Sequence, residues 1–366
     1  MAPQATEPAA PALLFVPDIS GFTQFVKSTE IAHSRHIIEE LLEKLMDANE
    51  LGLQVSEVEG DAILFYRLGD PPAPDAFFRQ IRKMFDSFHG HLRLYETQRI
   101  CQCGACVTAH ALTLKIVAHY GAVAESRIKQ HAKLFGTDVI TVHRLLKNDI
   151  AHHEYALFTQ ALGQEWPPAS APEWGARQEG SQDYDVGRID YGYVGLAPLR
   201  QFIPEPRTED FGIRGAKVHV FSCEQDVLAP LDLLVEVVSD LPARLHWMDG
   251  AKDVEMLNHH LNRLGTKHRC VIDANSPIMI TSGATRAADT VTLTETDDKK
   301  TISSVTTLRR DGEARTKVRI DGFIRDSLVL RALFALLMKK KLTRTFQASA
   351  VKLKHYCEAL HEKQHG

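Results

Sequence analysis

The chain has 366 residues, of which 44% are apolar and 25% charged, with a formal net charge of −4. This is the composition of a globular protein long enough for two domains, and the near balance of charge argues against a nucleic-acid binder. The balance is uneven along the chain: residues 1–215 carry 20 Lys and Arg against 28 Asp and Glu, and residues 216–366 carry 23 against 19, as expected of two units with separate surfaces. The opening MAPQATEPAA lacks a basic start followed by an apolar run, so it reads as a disordered tail over residues 1–10 rather than a signal peptide. No apolar stretch reaches the roughly 18 residues that span a bilayer. LVLRALFALLM at 328–338 is too short and contains Arg331. A cytoplasmic chain follows, with its six cysteines reduced.

PALLFVPD (11–18) predicts a buried strand. From Thr23 to Leu51 the apolar residues Ile37, Ile38, Leu41, Leu42, Leu45 and Met46 recur at helical spacing, and Gly52 stops the helix. LQVSEV and AILFYRL flank the turn Glu59-Gly60-Asp61 as a hairpin. Asp75 to Glu96 is a second amphipathic helix, and after a cysteine-bearing loop LTLKIVAHYG (112–121) is a strand. VITVHRLLKN (139–148) predicts a short helix and YALFT (155–159) a strand, while residues 165–185, rich in Pro, Gly and Ser, read as a long loop. RIDYGYVGLAPL returns as a strand, and residues 202–215 form a linker. Beyond it come a strand, VHVFSCEQ, helical stretches around 227–258, five β-rich runs and a closing helix from Ser327 to about His361. The order is α+β rather than alternating βα.

The hairpin Glu57-Val58-Glu59-Gly60-Asp61 concentrates carboxylates between apolar strands. If it packs beside the first strand, Asp61 meets Asp18, and two carboxylates with open oxygens suit Mg²⁺ or Mn²⁺ together with phosphate oxygens. Gly21 permits close backbone approach at the start of the following helix. Taken singly, Asp18 reads better as a helix cap, and the Glu-Gly-Asp run as a polar turn; the two motifs in order, on the expected elements, favour the metal site.

FVPDISGFTQF followed by EVEGDAILFY resembles the two metal-binding segments of class III nucleotidyl cyclases, and the similarity runs through LTLKIVAHYG and KLFGTDVITVHRLLKN. The resemblance implies a ferredoxin-like cyclase domain over residues 11–201. It makes Asp18 and Asp61 ligands of a two-metal Mg²⁺ or Mn²⁺ site, with Ile19 contributing its carbonyl and Gly21, Phe22 and Thr23 lining the phosphates of a purine nucleotide. It also implies a homodimer, because such sites form between two domains. Glu57 and Lys133 fall at the purine-selecting positions, and Arg144 at that of the transition-state arginine. Two positions depart from the family pattern. The asparagine position holds Ile140, which offers no hydrogen bond, and Lys133 fits neither standard purine pair. Loss of one such donor costs on the order of 10²–10³ in rate.

ICQCGACVTAH places Cys101, Cys103, Cys106 and His110 within a few residues. Three thiolates and an imidazole at this spacing suit a structural Zn²⁺, and the same loop also reads as reduced, partly buried cysteines. His119 reads as a packed strand histidine.

Residues 216–362 resemble the START-like, helix-grip superfamily that includes polyketide cyclases and lipid-transfer proteins. LPARLHWMDGAKDVEML, LGTKHRCVID, the antiparallel run and the final helix carry the likeness. It implies a cavity for a hydrophobic small molecule or lipid, lined by Trp247, Met248, Phe323, Leu330, Phe334 and Leu337, residues that otherwise simply fill a core. Met338 to Leu342 adds a basic patch.

Two readings follow. In one, a divergent, metal-dependent cyclase converts GTP or ATP to a cyclic monophosphate under control of the START-like domain. In the other, a degenerate cyclase domain only binds nucleotide, beside a hydrophobic-ligand module.

Overall fold

A computed structural model describes residues 9–128, 131–163, 174–206, 209–259 and 261–365. Most of the expected tail, residues 1–8, and residues 164–173 of the expected loop lie outside the described residues. The chain divides into two compact units, Met1–Glu96 with Thr108–Pro206, and Thr97–Val107 with Arg207–Gly366. The cysteine loop, which the sequence placed within residues 11–201, therefore groups with the second unit.

The first unit is built on β1 (Ala10–Ser20). Leu13, Leu14 and Phe15 are all fully buried, so the strand is apolar on both faces rather than alternating. It pairs antiparallel with β3 (Ala62–Leu68) on one side and with β4 (Thr113–Ile128) on the other. β2 (Gln54–Glu59) extends the sheet beyond β3, and β5 (His131–Phe135) pairs with β4. β6 (Tyr155–Thr159) runs parallel to β4 and is followed across the sheet by β8 (Gly187–Gly195) and β7 (Gln178–Tyr184). β7 is a correction, since its sequence QEGSQDY reads as loop. It pairs with β8 at the end of the sheet order, a polar strand that meets the core only through Tyr184 at its end.

The predicted first helix is two, α1 (Phe22–Ser28) and α2 (Ile31–Asp47). α3 (Pro74–Gln98) lies against one face of the sheet, its Phe77 ring edge-on to Phe15 at 5.8 Å and Phe78 edge-on to Phe158 at 6.1 Å. Gln80 of α3 holds the turn after α2, accepting from the amides of Glu50 and Leu51 at 2.7 and 2.9 Å and donating to the Ala48 carbonyl at 2.8 Å. A five-residue helix, α4 (Gly104–Thr108), follows. α5 (Thr137–Leu145) covers the other sheet face, where Val139, Val142 and Leu145 pack with Leu14, Val16, Leu64 and Val117.

The second unit is an antiparallel seven-stranded sheet in the order β10-β11-β12-β13-β14-β15-β9. Its strands are β9 (Lys217–Val227), β10 (Asp253–Met256), β11 (Lys267–Val271), β12 (Met279–Ala287), β13 (Thr290–Asp297), β14 (Ile302–Arg310) and β15 (Thr316–Arg325). Between β9 and β10 lie α6 (Leu231–Ser239) and α7 (Arg244–Trp247), so the helical stretch expected to reach residue 258 instead ends in a strand. α8 (Leu328–Leu333), a π turn (Phe334–Met338) and α9 (Lys339–His365) close the chain. Leu234 and Val238 of α6, Leu308, Val318 and Ile320 of the sheet, and Ala350, Leu353 and Cys357 of α9 form the core, which Ile100 of the cysteine segment joins.

Candidate nucleotide and metal site

The end of β1 brings the two aspartates together. Asp18 lies in register with Ala62 on β3 and with Lys115 on β4. The Ile19 amide donates to the Asp61 carbonyl at 3.0 Å, which folds the β2–β3 turn onto the strand end. Gly60 makes that turn at φ +62°, and Gly21 leaves β1 at φ +90°, a backbone region that favours glycine at both positions.

Electrostatics mark the pair. Burial first, and then the negative charge of Asp18, push the Asp61 carboxyl up to about 6. Asp18 is likewise raised by burial, against the pull of Lys115, whose ammonium lies 3.4 Å from its carboxylate. Two part-buried carboxylates that repel each other beside a single ammonium form a donor set that a hard divalent cation relieves. The Ile19 side chain is fully buried, while Thr23 is exposed. α1 spans only seven residues, so Gly21 rather than a helix dipole is what this turn offers.

Glu57 and Lys133 do meet. Lys133 Nζ is 3.6 Å from Glu57, and His143 Nε2 approaches the same carboxylate at 3.4 Å. Ile140 is 47% exposed on α5. Arg144 is clasped by Asp185 through bonds of 2.8 and 2.6 Å, both side chains being exposed. The clasp holds the guanidinium on the β7–β8 turn.

His119 is a packed strand histidine with a structural partner. Its ring bonds Thr159 and Asp138, each at 2.8 Å, and Asp138 also accepts the Ala122 amide at 2.7 Å. This clamp needs Gly121, where an added Cβ would sit 2.2 Å from the Asp138 carboxyl carbon.

In the second unit the thiols of Cys101, Cys103 and Cys106 lie within 4.8 Å of one another. Backbone amides aim at them: Cys103 N–H donates to Cys101 Sγ at 3.4 Å and Cys106 N–H to Cys103 Sγ at 3.5 Å. Hydrogen bonds from Cys103 and Cys106 hold the Cys101 thiol well below its usual range, while Cys106 is pushed up. His110 is not in this convergent group. α4 ends at Thr108 and the chain enters a 3₁₀ turn, Ala109–Ala111, which takes the exposed imidazole off the helix face that carries Cys106.

The expected hydrophobic-ligand residues separate. Trp247 is buried in the core with Met248 against it, and Phe334 packs with Phe221, Ile324 and Leu330. Phe323 points to the opposite sheet face, 5.4 Å from the His219 ring with Lys217 over it, because it alternates with buried Gly322 and Ile324. Leu337 is 70% exposed. Beside Trp247 lies a charged cluster that periodicity does not signal. Arg244 bonds Glu295 at 2.6 Å and His268 at 3.1 Å. Burial drives His268 down to about 4. Despite its own burial, Glu295 is held below the usual carboxylate range by Arg244 and His268. Lys115 and His143 are the residues of the first unit that sequence reasoning missed, since a lone Lys or His in a strand or helix has no signature.

Residues 38–155 match a family described as a protein of unknown function (DUF2652). An uncharacterized protein of Mycobacterium tuberculosis (Rv2561/Rv2562) is 34% identical over 134 residues, which are 34% of this chain and 58% of that protein. The chain thus spans little more than half the length of that curated relative. Among solved structures, similar folds include the guanylate cyclase domain of RhGC from Catenaria anguillulae in complex with GTP, 18% identical over 50% of this chain and 96% of that one at a TM-score of 0.38. A bacterial light-regulated adenylyl cyclase is 16% identical over 54% of this chain and 97% of that one, at 0.39. The adenylyl cyclase CyaB from P. aeruginosa is 12% identical over 51% and 94%, at 0.36. No helix among the described residues is long and apolar enough to cross a membrane.

Proposed function

We propose that the first unit is a divergent class III cyclase domain that binds a purine nucleoside triphosphate through divalent metal and closes it to a cyclic monophosphate. The observation that carries this reading is the convergence of Asp18 and Asp61 at one strand end, where burial raises both carboxyls and the charge of Asp18 adds to the rise at Asp61. Asp18 and Asp61 would hold Mg²⁺ or Mn²⁺, which would supply acidification of the ribose 3′-hydroxyl, so that its proton is released to solvent, and charge neutralisation at the phosphates. The 3′-oxygen forms a bond to the α-phosphorus, the bridging bond to the β-phosphate breaks, and pyrophosphate leaves. Gly21 gives the phosphates close access to backbone. Glu57 accepts from, and Lys133 donates to, the purine edge. Incubating the full chain with Mn²⁺ and GTP or ATP and detecting product by mass tests this. Cyclic nucleotide that disappears in Asp18→Ala and Asp61→Ala supports it.

Ile140 at the asparagine position and the Asp185 clasp on Arg144 favour a second reading, a nucleotide-binding domain without turnover. Metal-dependent nucleotide binding without product selects it, and absence of both binding and product overturns the two together. We read the second unit as the hydrophobic-ligand module of either arrangement, a START-like role tested by extracting lipid from the purified protein.

The thiol cluster carries a structural cation in the same scheme. Amides directed at sulfur stabilise thiolates, and three thiolates suit Zn²⁺. We expect about one equivalent of zinc by elemental analysis, lost in Cys103→Ser and kept in Cys223→Ser. Zinc-free protein after purification with added zinc overturns it.

A further inference from the structure

The closing helix of the second unit carries apolar side chains on two faces, and among the described residues only one of them packs against a partner. Leu330, Phe334, Met338, Leu342 and Phe346 pack inward against Phe221 and Ile324. Facing away, Leu328 is 84% exposed, Val329 76%, Leu333 45%, Leu336 83% and Leu337 70%. Lys339, Lys340 and Lys341 follow at once, with Arg344 one turn on. Lys339, Lys340 and Arg344 line an open groove with Ala335, Thr343 and Gln347. Lys341 pairs with Asp273 at 3.3 Å and Arg331 with Asp326 at 2.9 Å.

We propose that this segment docks the second unit onto the surface of an anionic lipid bilayer. The exposed leucines and Val329 enter the boundary of the acyl chains, and the basic side chains meet the phosphate layer. An apolar stripe that ends directly in clustered Lys and Arg has the chemical layering of a membrane interface, hydrocarbon beside anionic headgroups. A second copy of the chain is a poorer occupant. A two-fold contact on this face would oppose Lys339, Lys340 and Arg344 to their own equivalents. The attachment is peripheral, since no described helix crosses a bilayer.

Flotation of the full chain with vesicles tests the proposal. Phosphatidylcholine vesicles are compared with phosphatidylcholine–phosphatidylglycerol vesicles, at low and high salt. The chain is expected to float with anionic vesicles on the order of tenfold better than with neutral ones, and less at high salt. Leu336→Glu/Leu337→Glu and Lys339→Glu/Lys340→Glu should each reduce binding by about tenfold or more. All four positions are exposed, and unchanged circular dichroism verifies the fold of each variant. The proposal is overturned by absent flotation, by equal binding to both vesicle types, or by binding that survives the leucine variant. It is also overturned if sedimentation velocity shows self-association that the leucine variant abolishes, which would make a second copy the occupant.

Discussion

Asp61 is held at a cost to the fold. Its carboxyl stands at about 6 in the folded chain against the 3.8 of a free aspartate side chain, because burial and then Asp18 disfavour the charge. A raised carboxyl is protonated more readily in the folded state, so stability falls as pH rises from the unfolded value through 6, and the penalty is complete above it. Asp61→Asn in metal-free protein is therefore expected to gain about 1 kcal/mol at pH 8, allowing for solvent screening, and almost nothing at pH 4. Thermal melts in chelator at the two pH values check this, and the same variant should lose Mn²⁺-dependent nucleotide binding. His268 gives the opposite slope. Its ring is driven to about 4 by burial first, with Arg244 acting in the same direction and Glu295 against both. Below the unfolded value near 6.5 the unfolded chain takes up a proton that the folded chain refuses. Stability then falls by up to about 3 kcal/mol between pH 6.5 and 4. Urea titrations across that range should show the loss, and His268→Gln should flatten it.

At the scale of elements, much was legible. β1, the β2–β3 hairpin, α3 and the β-rich second half announce themselves through apolar runs and turn glycines, and the paired aspartates follow from two strands meeting at one end. Polar β7 was not legible, because an edge strand that reaches the core only through Tyr184 needs no apolar alternation. Nor was the attachment of the cysteine segment to the second unit, which comes from Ile100 entering a distant core, a bridge between Arg99 and Arg263, and the Leu264 amide donating to the Gln98 carbonyl at 3.2 Å. Lys115 was hidden because a charged residue in a strand reveals its partner only through register. The junction of β5 and α5 makes a sharp prediction. Gly136 has φ +149°, and a Cβ there would sit 2.9 Å from the Ala122 carbonyl oxygen, which is backbone and cannot turn away. Gly136→Ala should cost roughly 2–3 kcal/mol and loosen the Asp138 clamp. Amide exchange of Ala122, faster in the variant, measures the clamp directly.

At the scale of the molecule, the site around Glu57 is ringed by surface that a monomer has little reason to expose. Val55 is 45% exposed, Val58 47%, Phe135 72% and Ile140 47%, on β2, β5 and α5. Glu57 bridges these elements through Lys133 and His143, on the same three elements that carry the four apolar side chains. Such a patch marks an interaction surface, and a second copy of the chain is the occupant that the proposed cyclase reading predicts. Sedimentation equilibrium of the full chain should give a dimer. Phe135→Glu, a change at an exposed position with little cost to the fold, should shift it toward monomer by an order of magnitude or more and weaken nucleotide binding in parallel. Leu336→Glu/Leu337→Glu, on the other unit, should leave the dimer intact. A dimer that persists in Phe135→Glu would place the contact elsewhere and separate nucleotide binding from association. Joint loss would tie the exposed ring, the Glu57–Lys133 pair and the aspartates into one composite site.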